Sequence, residues 1–384
     1  LLLFHGETNF TQLYGLNFVN SGYINRGNLD LQINNDPQKI AWSGDLKVAL
    51  LQGIPHTFEE AGRVMPSIYR PFVKMWGYFS RVFNDRIYRL PKIFPEQGIE
   101  NIAITVKGPG TSKEFSVLIV RYIPDLQLIA NAQTFPLYTY ERLTEVVGEN
   151  VSLFDQNPNG EVFTAPSGNR YLRKENINDW VLKECCKRYG EDVTKEDIFY
   201  YVYGLLHSFE YRERYRNDLK KMLPRIPFVS SVEDFWAFSN AGRKLADLHL
   251  NYETIEPWPL KEEINGDPND LATYRVSKMR FRKTQDRKDD KTTIIYNENI
   301  TLSGIPLEAY EYIVNGKSPI EWVMERYKVF RDSKSGIIND PNKWLEEQGN
   351  PRYIVDLIKR LVRVSIETVK IVSAVVRWAG ERRG

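Results

Sequence analysis

The stretch "NPRYIVDLIKRLVRVSIETVKIV", residues 350–372, carries the clearest helical pattern in the chain. Asn350 is suited to cap this helix and Pro351 to occupy its first turn, where a missing backbone N–H costs nothing. Its apolar residues recur mostly at steps of three and four: Ile354, Leu357, Ile358, Leu361, Val362, Val369 and Val372. The spacing predicts an amphipathic helix with one face on a core, and the charges between, such as Lys359 and Arg363, exclude a membrane span.

Further helices are predicted upstream. Thr194, with Asp197 three positions later, resembles a capping box that opens the apolar run "IFYYVYGLL", and this helix should break near His207. A charged helix over 209–223 should then stop before Pro224, because proline inside a helix removes a hydrogen bond. Residues 232–248 predict another helix, so the second half of the chain is expected to be rich in helices.

Strand signals lie on both sides of these helices. The runs "NIAITVKG" (101–108) and "FSVLIVRYI" (115–123) flank the turn-prone "PGTSK" and predict a hairpin. "FPLYTYE" (135–141) predicts one more short strand. Residues 292–305 alternate around an Asn-rich turn and predict a β-ribbon.

These patterns predict an α+β fold with two lobes, in which mixed sheets and hairpins pack against helices. The segment 149–170 is rich in Asn, Gly, Pro and Ser, which favours a boundary between lobes there. We therefore expect an N-terminal α/β recognition lobe over residues 1–148 and a helix-rich C-terminal lobe over residues 149–384.

Composition limits the possible classes of protein. The chain has 384 residues, of which 42% are hydrophobic, enough for a substantial core. The opening "LLLFHGETNF" lacks the pattern of a signal peptide, so a cytoplasmic location without membrane contact is expected. Cys185 and Cys186 are adjacent and form neither a disulfide framework nor a zinc site, so we expect them to be packing residues.

Catalytic signatures are missing, and we predict no catalytic residue and no metal ligand. The four histidines, His5, His56, His207 and His249, show no metal-ligand spacing. "VNGKSP" (314–319) ends like a phosphate-binding loop, but Glu311 stands where the leading glycine belongs. "GPGTS" (108–112) is interpreted as a hairpin turn.

Charge is nearly balanced overall and uneven locally. Fifty-two Lys and Arg against fifty Asp and Glu give a net charge of +2. One basic cluster, threaded with aromatic residues and interrupted only by Asp85, contains Arg63, Arg70, Lys74, Arg81, Arg86, Arg89 and Lys92. A second contains Arg275, Lys278, Arg280, Arg282 and Lys283. A third, over 212–225, is interleaved with acids and favours a solvated helix face. Clusters compensated elsewhere predict one positive face, as a phosphate backbone requires.

Several long motifs resemble one family. They are "YRPF" (69–72), "RIYRLPKIFP" (86–95), "FPLYTYE", "KEDIFYYVYGLLHS" (195–208), "YRERYRNDLKKMLPRIPF" (211–228), "LADLHLNYE" (245–253), "TLSGIPLEAYEYIVNGKSPIEWVMERY" (301–327) and the opening stretch. Together they resemble the C-terminal target-recognition (specificity) domain of Type ISP restriction-modification enzymes. The resemblance covers about residues 40–372.

The resemblance implies a role in phage defence. In that family one polypeptide carries a nuclease, a helicase-like ATPase, an adenine N6 DNA methyltransferase and a target-recognition domain, and this chain resembles only the last. It implies sequence-specific recognition of double-stranded DNA, a partner methyltransferase domain in the same polypeptide, and no enzyme activity on this chain alone. It implies S-adenosylmethionine, ATP and Mg for the parent polypeptide and no cofactor on this chain.

The basic clusters and the resemblance together give a predicted DNA-contacting set: Tyr69, Arg70, Lys74, Arg81, Arg86, Tyr88, Arg275, Lys278, Arg280, Arg282 and Lys283. Tyr69 and Arg70 come first, because "YRPF" resembles an element in the recognition regions of other adenine methyltransferases. Pro71 should keep Arg70 extended. Two alternatives stay open: a docking module that never contacts DNA, and a chain with enzymatic activity in trans.

Overall fold

The computed structural model of the chain describes residues 2–4, 42–54, 56, 62–84, 87–143, 160–333 and 336–375. Its strands are β1 (Leu2–Phe4), β2 (Gly62–Arg70), β3 (Val73–Ser80), β4 (Ala103–Val106), β5 (Val117–Val120), β6 (Ile123–Pro124), β7 (Gln133–Pro136), β8 (Tyr138–Leu143), β9 (Glu161–Thr164), β10 (Arg170–Glu175), β11 (Lys261–Ile264), β12 (Arg280–Lys283), β13 (Asp289–Ile295), β14 (Ile300–Ser303), β15 (Phe330–Arg331) and β16 (Ile338–Asn339). Its helices are α1 (Gly44–Gln52), α2 (Leu90–Ile93), α3 (Asp179–Tyr189), α4 (Lys195–His207), α5 (Phe209–Arg214), α6 (Arg216–Lys221), α7 (Val232–Leu250), α8 (Pro319–Arg326), α9 (Pro341–Gln348) and α10 (Tyr353–Ala374). The predicted mixed α+β class is confirmed.

The strands form several small sheets instead of one large one. Their orders are β1-β3-β2-β6, β5-β4-β7, β8-β10-β9 and β11-β14-β13-β12, and β15 pairs with β16. Only β2 and β6 pair in parallel among the described strands. The hairpin predicted over 101–123 is confirmed as β4 and β5, in which Ala103 lies opposite Val120. The predicted ribbon corresponds to β13 and β14, whose turn is closed by the Asn297 side chain.

One strand prediction was wrong. Residues 135–141 belong to two strands in different sheets, because β7 pairs with β4 whereas β8 pairs with β10. The chain changes sheet at Leu137, whose N–H donates to the carbonyl oxygen of Ile102. The buried Asn101 side chain donates to the carbonyl oxygen of Tyr138 at 2.8 Å and holds the crossing in place.

Helix starts and stops follow local chemistry. The capping box of Thr194 and Asp197 is present at α4, and Ser208 ends α4 and caps α5. The charged helix predicted over 209–223 is two short helices separated at Tyr215. The last helix begins at Tyr353, not at Pro351, because the Tyr353 N–H donates to the carbonyl oxygen of Asn350 and closes a turn first.

Two large buried apolar clusters hold most of these elements together, and a small third one around Tyr140 and Tyr171 packs the sheet β8-β10-β9. The first packs the hairpin β2–β3 against the sheet β11-β14-β13-β12, α8 and most of α10. The second packs β4 and β5 against α3, α4 and α7. The C-terminal part of α10 reaches it through Ile371, Val372 and Val375. Both clusters contain residues from each side of residue 148, and the lobe boundary stays a prediction.

Helices α4 and α7 approach closely through two glycines. A Cβ added at Gly242 would stand 1.9 Å from the carbonyl oxygen of Tyr200, and one added at Gly204 would stand 2.1 Å from that of Phe238. No side chain fits at either position without separating the helices. The absent Cβ atoms therefore set the distance between α4 and α7.

A buried polar group lies where α4, α7 and α10 meet. Tyr203 Oη and His249 Nδ1 are 2.6 Å apart, and His249 Nε2 lies 2.9 Å from Thr368 Oγ1. His207 Nδ1 lies 2.9 Å from the carbonyl oxygen of Tyr203, which confirms His207 as a hydrogen-bonded packing residue. Burial lowers the pKa of His249 to about 3 and, followed by the charge of Arg212, lowers the pKa of His207 well below its usual value.

Acidification should destabilise the domain through this histidine pair. Both imidazoles are neutral in the folded chain, whereas an unfolded histidine titrates near a pH of about 6.5. The stabilisation is complete above that pH and is lost as the pH falls below it, by up to about 1.4 kcal/mol per pH unit for each histidine. Urea unfolding at several pH values between roughly 7.5 and 5 measures this slope.

A histidine variant separates the effect of His249 on the pH dependence of stability from the effect of the carboxylates. His249→Gln should have a shallower dependence on pH than the natural sequence, because the variant has lost one of the two buried imidazoles. Equal slopes for the two proteins would show that His249 does not titrate on unfolding.

Candidate nucleic-acid interface

A tight hairpin turn places the "YRPF" element at the end of β2. Pro71 and Phe72 connect β2 to β3, and Phe72 has a φ of 61°, in the left-handed region that bulky residues rarely adopt. The buried Phe72 ring packs edge-on against Tyr252, with centroids 5.3 Å apart. This packing anchors the turn, and Arg70 is the last residue of β2, extended as Pro71 predicted.

The charge of Arg70 is balanced inside the domain. Its Nη1 lies 2.8 Å from Oδ1 of Asp125, and its guanidinium carbon lies 3.9 Å from the centroid of the Tyr69 ring. Each side chain of the ion pair is only 15% exposed. DNA contacts by Tyr69 and Arg70 stay predictions. The charge of Arg70 would attract a phosphate less strongly than a free charge, because Asp125 already balances it.

Lys74 is also held by an internal acid. Its Nζ lies 2.8 Å from Oε2 of Glu253, whose Oε1 accepts a hydrogen bond from Tyr353 at 2.5 Å. This network ties β3 to the start of α10. A role for Lys74 in binding DNA stays a prediction, with a structural role already visible.

The remaining predicted residues of the first cluster differ in exposure. Arg81 is exposed in the turn after β3, and Tyr88 is 75% exposed with a φ of 48°. Arg86 lies outside the described residues. Arg81 and Tyr88 are thus accessible to a large ligand, and their contacts stay predictions.

The second cluster lies on and around the hairpin of β12 and β13, which is called the ribbon from here on and differs from the predicted β13–β14 ribbon. Phe281 turns inward and packs edge-on against Tyr310, with centroids 5.9 Å apart. Its neighbours Arg280 and Arg282 are exposed, as is Lys278 just before the strand. These three cations form no ion pair within the described part of the chain. The alternation of inward and outward side chains leaves their charges facing solvent.

Two other cations of this cluster have partners. Arg275 Nη1 lies 2.5 Å from Glu346, and Lys283 Nζ lies 2.7 Å from Asp289. Both pairs are well exposed, so water screens them and they contribute little stability. A phosphate could compete for either cation.

Helix α8 connects the two basic clusters in space. A cleft of about 250 Å³ lies between the start of the ribbon and α8, and its lining includes Lys278, Phe281, Glu325 and Lys328. On its other side, the Arg326 guanidinium lies 5.7 Å from the centroid of the Tyr69 ring. The ribbon, α8 and the end of β2 are therefore close in space, although nearly 200 residues separate the clusters in sequence.

The third basic cluster does not behave uniformly. Arg216 pairs with Glu213 and Lys220 with Glu114, as a solvated helix face predicts. Arg212 instead turns inward, and its Nε donates to the carbonyl oxygen of Leu206 at 2.7 Å. Sequence alternation could not reveal this, because the break before α5 reorients the helix.

Two negative findings concern the described residues only. They contain no group of three His, Cys, Asp or Glu side chains able to hold a metal ion. None of their helices has the length and apolar character needed to cross a membrane.

Comparison with known families gives the class of the protein. Residues 13–357 match the family described as the Type ISP C-terminal specificity domain. The chain belongs to this family, and the resemblance inferred from its motifs is confirmed.

Solved structures place the chain among larger proteins. The chain is 32% identical to "ATP-dependent Type ISP restriction-modification enzyme LlaBIII bound to DNA", with a TM-score of 0.73 over 89% of this chain and 20% of that one. It is 34% identical to a nuclease-deletion mutant of the Type ISP enzyme LlaGI in complex with a DNA substrate mimic, with a TM-score of 0.72 over 93% and 24%. It is 29% identical to the protein of the DrdV–DNA complex, with a TM-score of 0.71 over 90% of this chain and 31% of that one. The chain thus spans between a fifth and a third of these proteins, and a comparison with curated proteins gave no match.

Proposed function

We propose that this chain recognises a specific sequence in double-stranded DNA and positions it for other domains of a larger restriction-modification polypeptide. Membership of the specificity-domain family supports the proposal, as do the DNA-bound states of the similar structures. The observation in this chain that carries it is the ribbon on which Lys278, Arg280 and Arg282 are exposed and form no ion pair with the described residues.

The tip of the ribbon, where Arg282 and Lys283 lie opposite Asp290 and Asp289, extends beyond the pairing of β13 with β14 and is two-stranded. A two-stranded element is one of the few that fit the major groove of B-form DNA. Cations along it neutralise phosphates, and a guanidinium that reaches a guanine edge adds base discrimination. The pairing of β13 with β14 and the packing of Phe281 against Tyr310 hold the ribbon in the sheet. Arg280 and Arg282 can then be presented in a constant orientation.

The parent polypeptide would supply the chemistry. Its methyltransferase domain would use S-adenosylmethionine to modify adenine, and its motor and nuclease would use ATP and Mg²⁺. This chain would contribute no catalytic residue, would contact the methyltransferase domain, and would act in the cytoplasm. The chain covers only 20% and 24% of two solved relatives, which supports its being one domain of a larger polypeptide.

Salt dependence tests the proposal directly. Fluorescence anisotropy with duplexes of random sequence, repeated across a salt gradient, should show log Kd rising linearly with log salt concentration, by about 0.9 for each phosphate neutralised. A duplex selected from a random pool should bind more tightly than the unselected pool. Binding that ignores salt, or no binding at all, would reject DNA recognition.

The docking alternative has its own support. Arg70 and Lys74 are both committed to internal acids, as expected for a scaffold. A pull-down with the methyltransferase domain, performed with and without duplex, separates the two functions. If the chain only docks, the methyltransferase domain should capture it equally well with and without duplex, and the chain alone should not bind duplex.

Arg70→Ala tests the first choice among the predicted residues. Removing the guanidinium breaks the ion pair of the partly buried Asp125, whose Oδ1 keeps the hydrogen bond from the Gln127 N–H, and we expect a stability loss of about 1 to 3 kcal/mol. If Arg70 also contacts DNA, affinity per folded molecule should fall as well. Asp125→Asn serves as the matched variant, since it breaks the ion pair and keeps the guanidinium. Loss of stability in both variants with unchanged duplex binding would make Arg70 purely structural.

A further inference from the structure

A second group of cations converges beside the hairpin turn, and none of them belongs to the predicted DNA-contacting set. Lys317 follows an Asn-Gly turn in which Asn315 and Gly316 have φ values of 52° and 85°, the geometry of a type I′ turn. Val314 and Lys317 close this turn with backbone hydrogen bonds. Ser318 then caps α8, so the orientation of Lys317 is fixed on both sides.

Lys317 and Arg326 share their neighbours. The Lys317 Nζ lies 4.9 Å and the Arg326 guanidinium 5.7 Å from the centroid of the Trp322 ring. Both cations also contact one carboxylate, Glu325, with Arg326 Nη2 2.7 Å from its Oε1. The single carboxylate of Glu325 therefore pairs with two cations. The Nε of Arg326 is buried and has no hydrogen-bond partner among the described residues.

Further positive charge surrounds this pair. Burial lowers the pKa of Lys317, and the charge of Arg326 lowers it further; Glu321 raises it, and the charges of Lys113 and Lys328 lower it again. Burial also lowers the pKa of Arg326, and the charge of Arg70 adds to that effect. Lys113 belongs to the turn between β4 and β5, so three separate segments contribute cations. An added anion would relieve this repulsion.

We propose that Lys317, Arg326 and Lys328, supported by Lys113, form a phosphate clasp that binds the DNA backbone beside the ribbon. The proposal rests on the function proposed above. Lys328 also lines the cleft that leads to Lys278 and the ribbon, so one strand could contact both groups of cations. The clasp would fix the register of the duplex without reading its sequence.

Charge removal at two positions tests the clasp in the full 384-residue chain. Lys317→Gln combined with Lys328→Gln should lower the slope of log Kd against log salt by roughly 1.8, because each phosphate contact contributes about 0.9. The loss should be the same for random and selected duplexes. Lys317→Arg with Lys328→Arg keeps both charges and should keep the slope, which controls for folding. Lys183→Gln with Lys187→Gln, exposed on α3, removes equal charge elsewhere and should change the slope less.

The outcomes separate the clasp from the proposed function. If the natural sequence binds no duplex, the proposed function fails and the clasp with it. If it binds duplex, and the Gln pair keeps the original slope or matches the α3 control, only the clasp is overturned. A calorimetric titration with inorganic pyrophosphate distinguishes the source of the phosphate. Pyrophosphate binding lost in the Gln pair while duplex binding persists unchanged would also overturn a backbone clasp.

Discussion

Replacing Arg280 and Arg282 together by glutamine should weaken duplex binding by roughly 30-fold or more in Kd. Each bidentate contact of an arginine to a guanine edge is worth about 1 to 3 kcal/mol, and two such contacts give at least about 2 kcal/mol. Both side chains are exposed and form no ion pair with the described residues, so their removal should leave stability within about 0.5 kcal/mol. Anisotropy and urea unfolding of the same preparation measure the two effects.

The matched control uses paired cations of the same cluster. Arg275→Gln with Lys283→Gln removes the same formal charge, but Glu346 and Asp289 already balance it, and the loss of affinity should be smaller. Equal losses would show that internal pairing does not decide which cations contact DNA. A double variant of Arg280 and Arg282 with unchanged affinity would exclude the ribbon from the interface.

Lysine at the same two positions distinguishes phosphate from base contacts. Lysine keeps the charge but lacks the planar fork that grips a guanine edge. Retained affinity with lost preference for the selected duplex would place the arginines on bases. Retained affinity and preference together would place them on phosphates.

Gly242→Ala should destabilise the domain by about 2 to 3 kcal/mol, although alanine is the better helix former by about 1 kcal/mol. The added methyl group would lie 1.9 Å from the carbonyl oxygen of Tyr200, and backbone cannot yield as a flexible side chain can. Helices α4 and α7 would have to separate and loosen the second apolar cluster. Urea unfolding measures the change.

An exposed position on the same helix provides the comparison. Asn240→Ala changes helix propensity without a clash, and its effect should stay within about 0.5 kcal/mol. A Gly242→Ala protein as stable as the natural sequence would mean that the helix pair can separate at no cost.

The predictions that succeeded concern local chemistry. The capping box at Thr194 and the hairpin of β4 and β5 depend on residues close in sequence, and both are present. The split at Leu137 was missed because it depends on Asn101, whose amide reaches Tyr138 from 37 positions away. Periodicity reports which face of an element is apolar, but not which sheet the element joins.

The predicted site shows the same limit. Arg70 and Asp125 are 55 positions apart, and Lys74 and Glu253 are 179 apart, so a basic run gives no sign that its charges are balanced. Two lysines outside the predicted set show the opposite case. Lys317 belongs to the motif "VNGKSP", and Lys113 follows the motif "GPGTS". Neither motif was predicted to bind a phosphate group, yet Lys113 and Lys317 interact electrostatically, as do Lys317 and Arg326, and Arg326 and Arg70. Folding creates that grouping, and no spacing rule encodes it.

Both large apolar clusters contain residues from the first and the second half of the chain, and this restricts how the domain can change during evolution. Recombination that exchanged only one half of the polypeptide would mismatch two interiors at once, because α10 and the first strands belong to each other's packing. If Arg280 and Arg282 read bases as proposed, new target preferences would arise by exchange of the whole module or by substitution at such solvent-facing positions, which lie outside both interiors.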